Sequence, residues 1–258
     1  RQIRDQSLRF EMPAGSDLSD RLDSVLDVLY LMFNEGYSAH SGGDLLRGDL
    51  CDEAIRPGRL VAEHPVCNEP PVHALLALML LQHARQPART NAAGELWVLS
   101  EQDRSLWNRR TIEQGLMHLG RSAAGSAMTA YHLQAGIAAA HAVAPTYADT
   151  DWAHIADLYD QLYEIDPTPV VALNRAVARS RHLGLQAGIQ DLQRIEAHPA
   201  LSRYHLLYAV LAELWREAGD SDKATSYYRA ALDCECSEPE RRLLAARLQQ
   251  IGSAPAGD

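Results

Sequence analysis

The stretch Tyr204–Arg241, YHLLYAVLAELWREAGDSDKATSYYRAALDCECSEPER, predicts two amphipathic helices joined by a tight turn. Apolar residues recur at steps of three and four in both halves, which places them on one face of each helix. Gly219 predicts the end of the first helix, because glycine adopts the left-handed conformation at little cost. Asp220 predicts the cap of the second helix. The small residues Ala224 and Ala231 would let the two helix backbones approach closely.

This hairpin resembles the tetratricopeptide repeat, a helix–turn–helix unit of about 34 residues. The large, small and aromatic positions of the repeat are filled here by Tyr208, Leu211, Ala212, Trp215, Gly219, Ala224, Tyr228 and Ala231. Cys236 stands where the family usually has proline, so we expect an irregular exit from the second helix. The resemblance implies that further hairpins stack on this one.

The composition of the whole chain predicts an all-α fold. The 258 residues are 47% hydrophobic, which is enough to bury a sizeable core. Ala, Leu, Gln and Arg dominate, and valine and isoleucine runs of strand length are scarce. We therefore expect a helical bundle that continues into a TPR-like helical-hairpin stack. Four cysteines do not make a disulfide framework, so we expect buried thiols and a cytoplasmic location.

Four segments follow from the pattern of apolar residues along the chain. Residues 1–13 are polar and basic and predict a linker; residues 253–258 predict a disordered tail. Between them we expect a helical subdomain over 14–145 and TPR-like repeats with a C-terminal capping helix over 146–252. The nearly continuous apolar run Val72–Arg85 predicts a central helix buried on most sides. No stretch reaches the roughly 20 apolar residues of a membrane span.

The net charge of −10 bears on partners. Nucleic-acid binding depends on Lys and Arg neutralising phosphates, and the arginine pairs of this chain sit beside acidic residues. We therefore expect no direct DNA binding by this chain.

No enzyme signature is found in the sequence. It has no glycine-rich phosphate loop, no GxSxG elbow and no HExxH pair, and its histidines and cysteines lack metal-ligand spacing. We therefore expect no catalytic residues, no metal and no cofactor.

Two polar clusters and one helix face are candidates for binding a ligand or a partner. The first cluster contains Glu35 and Arg47, and the second contains Asp103, Arg104 and Trp107. Each cluster either forms a substrate pocket or ties loops to the core through buried ion pairs and caps. In a TPR, residues on the first helix of each repeat line the concave face; here these are Leu206, Ala209, Glu213, Arg216 and Glu217. They predict a mixed apolar and acidic docking surface without a carboxylate clamp.

Five motifs, in order, extend the resemblance to nearly the whole chain. They are Leu29–Tyr37 (LYLMFNEGY), Asp49–Arg56 (DLCDEAIR), Gln102–Trp107 (QDRSLW), Tyr131–Ala135 (YHLQA) and Leu173–Ala178 (LNRAVA). Together, before a TPR-like end, they resemble the C-terminal extension of a group of extracytoplasmic-function sigma factors of bacterial RNA polymerase. The resemblance implies a regulatory domain that contacts the factor's own upstream domains, RNA polymerase or a regulatory protein.

Two functions therefore remain open from the sequence. In the first, the acidic chain docks on basic surfaces of upstream sigma domains by charge complementarity. In the second, it is an enzyme or small-molecule sensor with a pocket in residues 17–144, where Glu35, Arg47, Asp103 and Arg104 converge without pairing.

Overall fold

The computed structural model describes residues 15–37, 48–91, 94–125 and 127–253. Within these ranges the chain is helical, and its only β feature is an isolated bridge between Thr90 and Leu96. The predicted all-α class is confirmed. The helices are α1 (Gly15–Tyr37), α2 (Gly48–Glu63), α3 (Pro70–His83), α4 (Arg109–Ser122), α5 (Ala130–Val143), α6 (Trp152–Ile165), α7 (Pro169–Leu183), α8 (Leu185–Ile195), α9 (His205–Glu217), α10 (Ser221–Asp233) and α11 (Glu238–Ser253).

Helix α3 is the centre of an N-terminal bundle formed by α1–α5. Every residue from Val72 to Leu81 is buried, as the continuous apolar run predicts. Proline at its first positions starts the helix, since its missing N–H would be unpaired there in any case. Helices α1, α2, α4 and α5 all pack against α3. Within the described ranges, no helix has both the length and the apolar character needed to cross a membrane.

Helix α5 links the N-terminal bundle to the rest of the chain. One of its faces, including Ala135 and Ala139, packs in the core around α3. The opposite face, including Leu133 and Ile137, packs with α6 and α7. The alanines of α5 allow close packing on both of its faces, because a methyl side chain takes up little space between neighbouring helices.

Helices α6–α11 form a stack of antiparallel hairpins. Gly184 and Gly219 have φ of +100° and +84°, so both tight turns use the left-handed conformation that favours glycine. Asp220 caps α10, accepting a hydrogen bond from the Lys223 backbone N–H at 3.0 Å. Tyr228 is buried on α10, between α9 and α11. These features agree with the predicted TPR-like hairpin.

The exit from α10 is irregular, as the missing proline predicts. Cys234 is extended (φ −81°, ψ 163°), and the chain begins α11 only at Glu238. The Arg241 guanidinium satisfies the free backbone carbonyls at this end, donating to Leu232 O at 2.8 Å and Cys234 O at 3.3 Å. Ser237 and Glu240 then form a reciprocal cap at the start of α11.

Candidate functional site

The main candidate site is a groove on the concave side of the hairpin stack. Residues of α5, α6, α7, α9, α10 and α11 line it, and it contains a cavity of about 450 Å³. Leu206, Ala209, Glu213, Arg216 and Glu217 all lie in its wall. The repeat register therefore placed these five residues on one surface.

A segment of the N-terminal bundle crosses this groove, and we call residues 97–101 the strap. Val98 is extended (φ −66°, ψ 156°), and residues 99–101 form a single 3₁₀ turn. Leu99 packs against the core around α3, which ties the strap to the bundle. At the other end, Glu101 forms an ion pair with Arg247 on α11. The strap therefore forms one wall of the cavity and connects the two parts of the chain.

The charged side chains of the groove pair with one another. Arg181 donates two hydrogen bonds to Glu217, at 2.5 and 2.9 Å. Arg216 donates to Glu213 at 2.7 Å. The predicted acidic docking residues are thus neutralised by arginines within the groove, and their charge is not available to attract a basic partner.

Glu240 and His205 are also in contact, with His205 Nε2 3.3 Å from Glu240 Oε1. Burial opposes the charge on Glu240. Hydrogen bonds from His205 and Ser237 outweigh that cost and hold the pKa of Glu240 at about 2, below the ordinary 4.5.

The groove also presents neutral polar groups. The Asn174 amide on α7 is exposed in the wall and makes no hydrogen bond to any part of the chain that the structure describes. His141 lies in the same wall, and its buried Nδ1 lacks a hydrogen-bond partner within the described residues. The buried Tyr228 hydroxyl lies beside the Glu213 carboxylate. Burial, with Arg85 and Arg104 nearby, lowers the pKa of His141 to about 3, so its imidazole is neutral at ordinary pH.

Arg104 has a structural role at the end of α5. It is buried, and its guanidinium donates to His141 O at 2.7 Å, Ala144 O at 2.6 Å and Thr150 Oγ1 at 3.3 Å. It therefore caps the carbonyls that a helix C-terminus leaves unpaired. Burial lowers the pKa of Arg104 below its ordinary 12.5.

Of the other predicted cluster members that the structure describes, Trp107 packs against Arg104, whereas Asp103 and Glu35 have other surroundings. Asp103 is exposed and accepts a hydrogen bond from the Ser105 backbone N–H at 2.9 Å, while Trp107 is buried under the Arg104 guanidinium, 4.7 Å from the ring centre. Glu35 lies in the last turn of α1 and does not line the cavity. Arg47 lies outside the described residues. The described cavity differs in position from the pocket considered within residues 17–144, since residues from Val98 to Arg247 line it.

The sequence interpretation missed Asn174 and the Glu101–Arg247 pair. Asn174 precedes Ala209 by about one repeat. Extending the TPR register by one hairpin towards the N-terminus would therefore have placed Asn174 on the same surface as Ala209. No local signal connects Glu101 with Arg247. Among the residues that the structure describes, no group of three or more His, Cys, Asp or Glu side chains could hold a metal ion.

Fold and site together define an all-helical protein in which a five-helix bundle leads into a TPR-like stack with a strapped groove. Residues 21–123 match a family described as "Family of unknown function (DUF6596)". This match extends from α1 through the strap and α4.

A second comparison extends over most of the chain. An uncharacterized protein of Rhizobium meliloti (strain 1021) is 37% identical over 248 residues, which are 96% of this chain and 58% of that protein. The chain therefore spans somewhat more than half the length of this curated relative.

Proposed function

We propose that this chain is the C-terminal regulatory, protein-interaction domain of an extracytoplasmic-function sigma factor, acting in bacterial transcription initiation, and that it is not an enzyme. The five ordered motifs and the TPR-like stack support the proposal. The relative from Rhizobium meliloti is longer than this chain, which is compatible with a regulatory domain carried by a larger protein.

The observation that carries the proposal is an apolar stripe on the outer face of α1. Val25, Val28 and Leu31 are 40%, 62% and 67% exposed. Their spacing of three places them on one side of the helix, opposite the residues that pack on α2 and α3. Adjacent large aliphatic side chains exposed in this way are typical of a protein–protein contact.

Acidic side chains lie along one edge of the stripe. Asp20, Asp23 and Asp27 are exposed there, and Asp27 also accepts a hydrogen bond from the Tyr131 hydroxyl at 2.8 Å. An apolar centre with an acidic edge complements a surface that is apolar and basic, and sigma domains that contact polymerase and promoter DNA would offer basic surfaces. We propose that α1 docks on such a surface of the factor's own upstream domains.

Co-purification of this chain with the separately expressed upstream domains of such a sigma factor tests the proposal. We expect a complex at low salt that weakens as salt rises, because the acidic edge contributes by charge. The double variant Val28→Asp with Leu31→Asp should weaken the complex about tenfold or more, since it places charge in the centre of the contact.

Val143→Asp is the matched control, because Val143 is a 59% exposed valine at the end of α5, away from the stripe. It should bind like the parent chain. Absence of a complex even at low salt, or equal weakening by the control, would overturn the proposal.

A further inference from the structure

The groove is closed enough to hold a small molecule. The strap, α5 and five helices of the stack line its cavity of about 450 Å³. Small-molecule sites generally have volumes of about 300–1,000 Å³. On the far side of the strap, Asn91 and residues 94–97 face α11 across a second cavity of about 240 Å³. The strap therefore crosses the groove with space on both sides.

The charges around the cavity determine which ligands fit. The ion pairs in its wall are Arg181–Glu217, Arg216–Glu213, Arg247–Glu101 and Arg247–Glu213, and the His205 ring contacts Glu240. An anionic ligand would have to displace a carboxylate from its arginine, and a cationic ligand would have to displace an arginine from its carboxylate. Breaking such an ion pair leaves a partly buried charge without compensation. The wall therefore disfavours ionic ligands.

The groups that remain for binding are neutral. Asn174 offers an amide that can donate and accept, and the buried Nδ1 of His141 has no partner among the described residues. The aromatic side chains of Tyr147, Trp152 and Tyr159 also line the wall, beside a larger number of aliphatic side chains. Such walls bind flat apolar molecules through ring contacts and burial of surface.

We propose that this strapped groove is a binding site for an uncharged, mainly apolar aromatic molecule with one or two hydrogen-bonding groups. Asn174 orients the ligand from the wall formed by α7, and the strap closes over it through Glu101 and Arg247. This inference does not depend on the proposed function, because the groove and the α1 stripe share no residue.

A matched pair of fluorescent probes tests the charge requirement. N-phenyl-1-naphthylamine is uncharged, and 8-anilinonaphthalene-1-sulfonate has the same aromatic framework with one negative charge. We expect the uncharged probe to bind at one saturable site with enhanced emission, and the sulfonate to bind at least about tenfold more weakly. Titration calorimetry measures the stoichiometry of each. Equal binding of the two probes, or no saturable binding of the uncharged one, would overturn the proposal.

Three variants locate the bound probe. Asn174→Trp places a bulky ring in the cavity from an exposed position, so binding of N-phenyl-1-naphthylamine should fall at least about tenfold. Leu206→Trp, from a wall residue that is 39% exposed, should have the same effect. Gln190→Trp on α8 adds the same ring at an exposed site outside the cavity wall and should leave binding unchanged.

Thermal unfolding establishes that each variant is folded before it is titrated. The pair Val28→Asp with Leu31→Asp removes the α1 stripe as a competing apolar surface. If that variant loses the probe while Asn174→Trp and Leu206→Trp retain it, the probe binds at α1 and the assignment to the groove is wrong.

Discussion

Glu101 and Arg247 form an ion pair although 146 residues separate them along the chain. Glu101 ends the strap of the N-terminal bundle, and Arg247 lies on the last helix of the stack. Their side chains are only 31% and 18% exposed. The pair therefore connects the first and last parts of the fold across the candidate site.

A double-mutant cycle with Glu101→Gln and Arg247→Gln should give a coupling free energy of about 1 kcal/mol, because the pair is partly shielded from water. Hydrogen exchange at residues 97–101 should become faster in both single variants. The exposed pair Glu53–Arg56, with side chains 59% and 70% exposed, is the control and should show clearly weaker coupling, because water and salt screen it. Equal coupling in the two cycles would contradict the role of the strap.

Gly115→Ala in α4 should destabilise the protein by about 2 kcal/mol or more. A Cβ at Gly115 would lie 2.7 Å from Leu81 Cγ and 3.4 Å from Ala77 O, so α3 and α4 would have to separate. Gly120→Ala in the same helix meets nothing within 4 Å and should stabilise by up to about 1 kcal/mol through helix propensity. Urea unfolding measures both, and the two effects must have opposite sign.

Arg104→Ala should cost about 3 kcal/mol of unfolding free energy, because it leaves two backbone carbonyls and a threonine hydroxyl without their donor. Arg104→Lys should cost less but still destabilise, since one ammonium group cannot span all three acceptors. Arg110→Ala, at an exposed position on α4, should stay within about 0.5 kcal/mol of the parent protein. If Arg104→Ala and Arg110→Ala lowered the free energy of unfolding by similar amounts, the hydrogen bonds from Arg104 to the end of α5 would not be the cause of the loss.

Acid should destabilise the protein through the buried pair His73 and His118, whose Nδ1 atoms lie 2.9 Å apart. Burial lowers the pKa of both, and that of His118 falls to about 4, with His73, Arg121 and Arg59 nearby. The unfolded chain binds protons from about pH 6.5 downwards, before the folded chain does. Stability is therefore full above about pH 7 and falls as the pH drops towards 4, by up to about 1.4 kcal/mol per pH unit for each such histidine.

Urea unfolding between about pH 7 and pH 5 measures this slope. The range lies above 4.5, the ordinary pKa of a glutamate such as Glu240, so that carboxyl groups contribute little to it. His118→Gln should have a shallower slope than the parent protein and the same pH dependence above about pH 7. Equal slopes at lower pH would show that His118 takes up its proton without cost to the fold.

Much of the fold could be predicted because its signals are local. The 3.6-residue period of the apolar residues predicted α9 and α10, and the continuous apolar run predicted the buried helix α3. Gly219 and Asp220 predicted the turn between α9 and α10. Gly219 favours the left-handed backbone conformation of the turn, and the Asp220 carboxylate caps α10. Asp151 similarly caps α6, accepting from the His154 backbone N–H at 3.0 Å. Each of these outcomes depends on residues a few positions apart.

The candidate site was only partly predictable. The repeat register placed Glu213, Arg216 and Glu217 in the groove, but it could not show that Arg181, on another helix, neutralises Glu217. Arg104 and Asp103 are adjacent in sequence and suggested a polar pocket. In the structure, Arg104 turns inward to backbone carbonyls and Asp103 caps a short turn at the surface.

The sequence by itself determined the helical class, the hairpin stack and the buried central helix, because periodicity, capping and glycine conformation act within one or two helical turns. Only the tertiary structure decided that the strap crosses the groove, that arginines pair with Glu101, Glu213 and Glu217 there, and that Asn174 is exposed in its wall. These properties depend on distances between side chains on different helices. Those distances are set by how closely the helices pack, which no local pattern specifies.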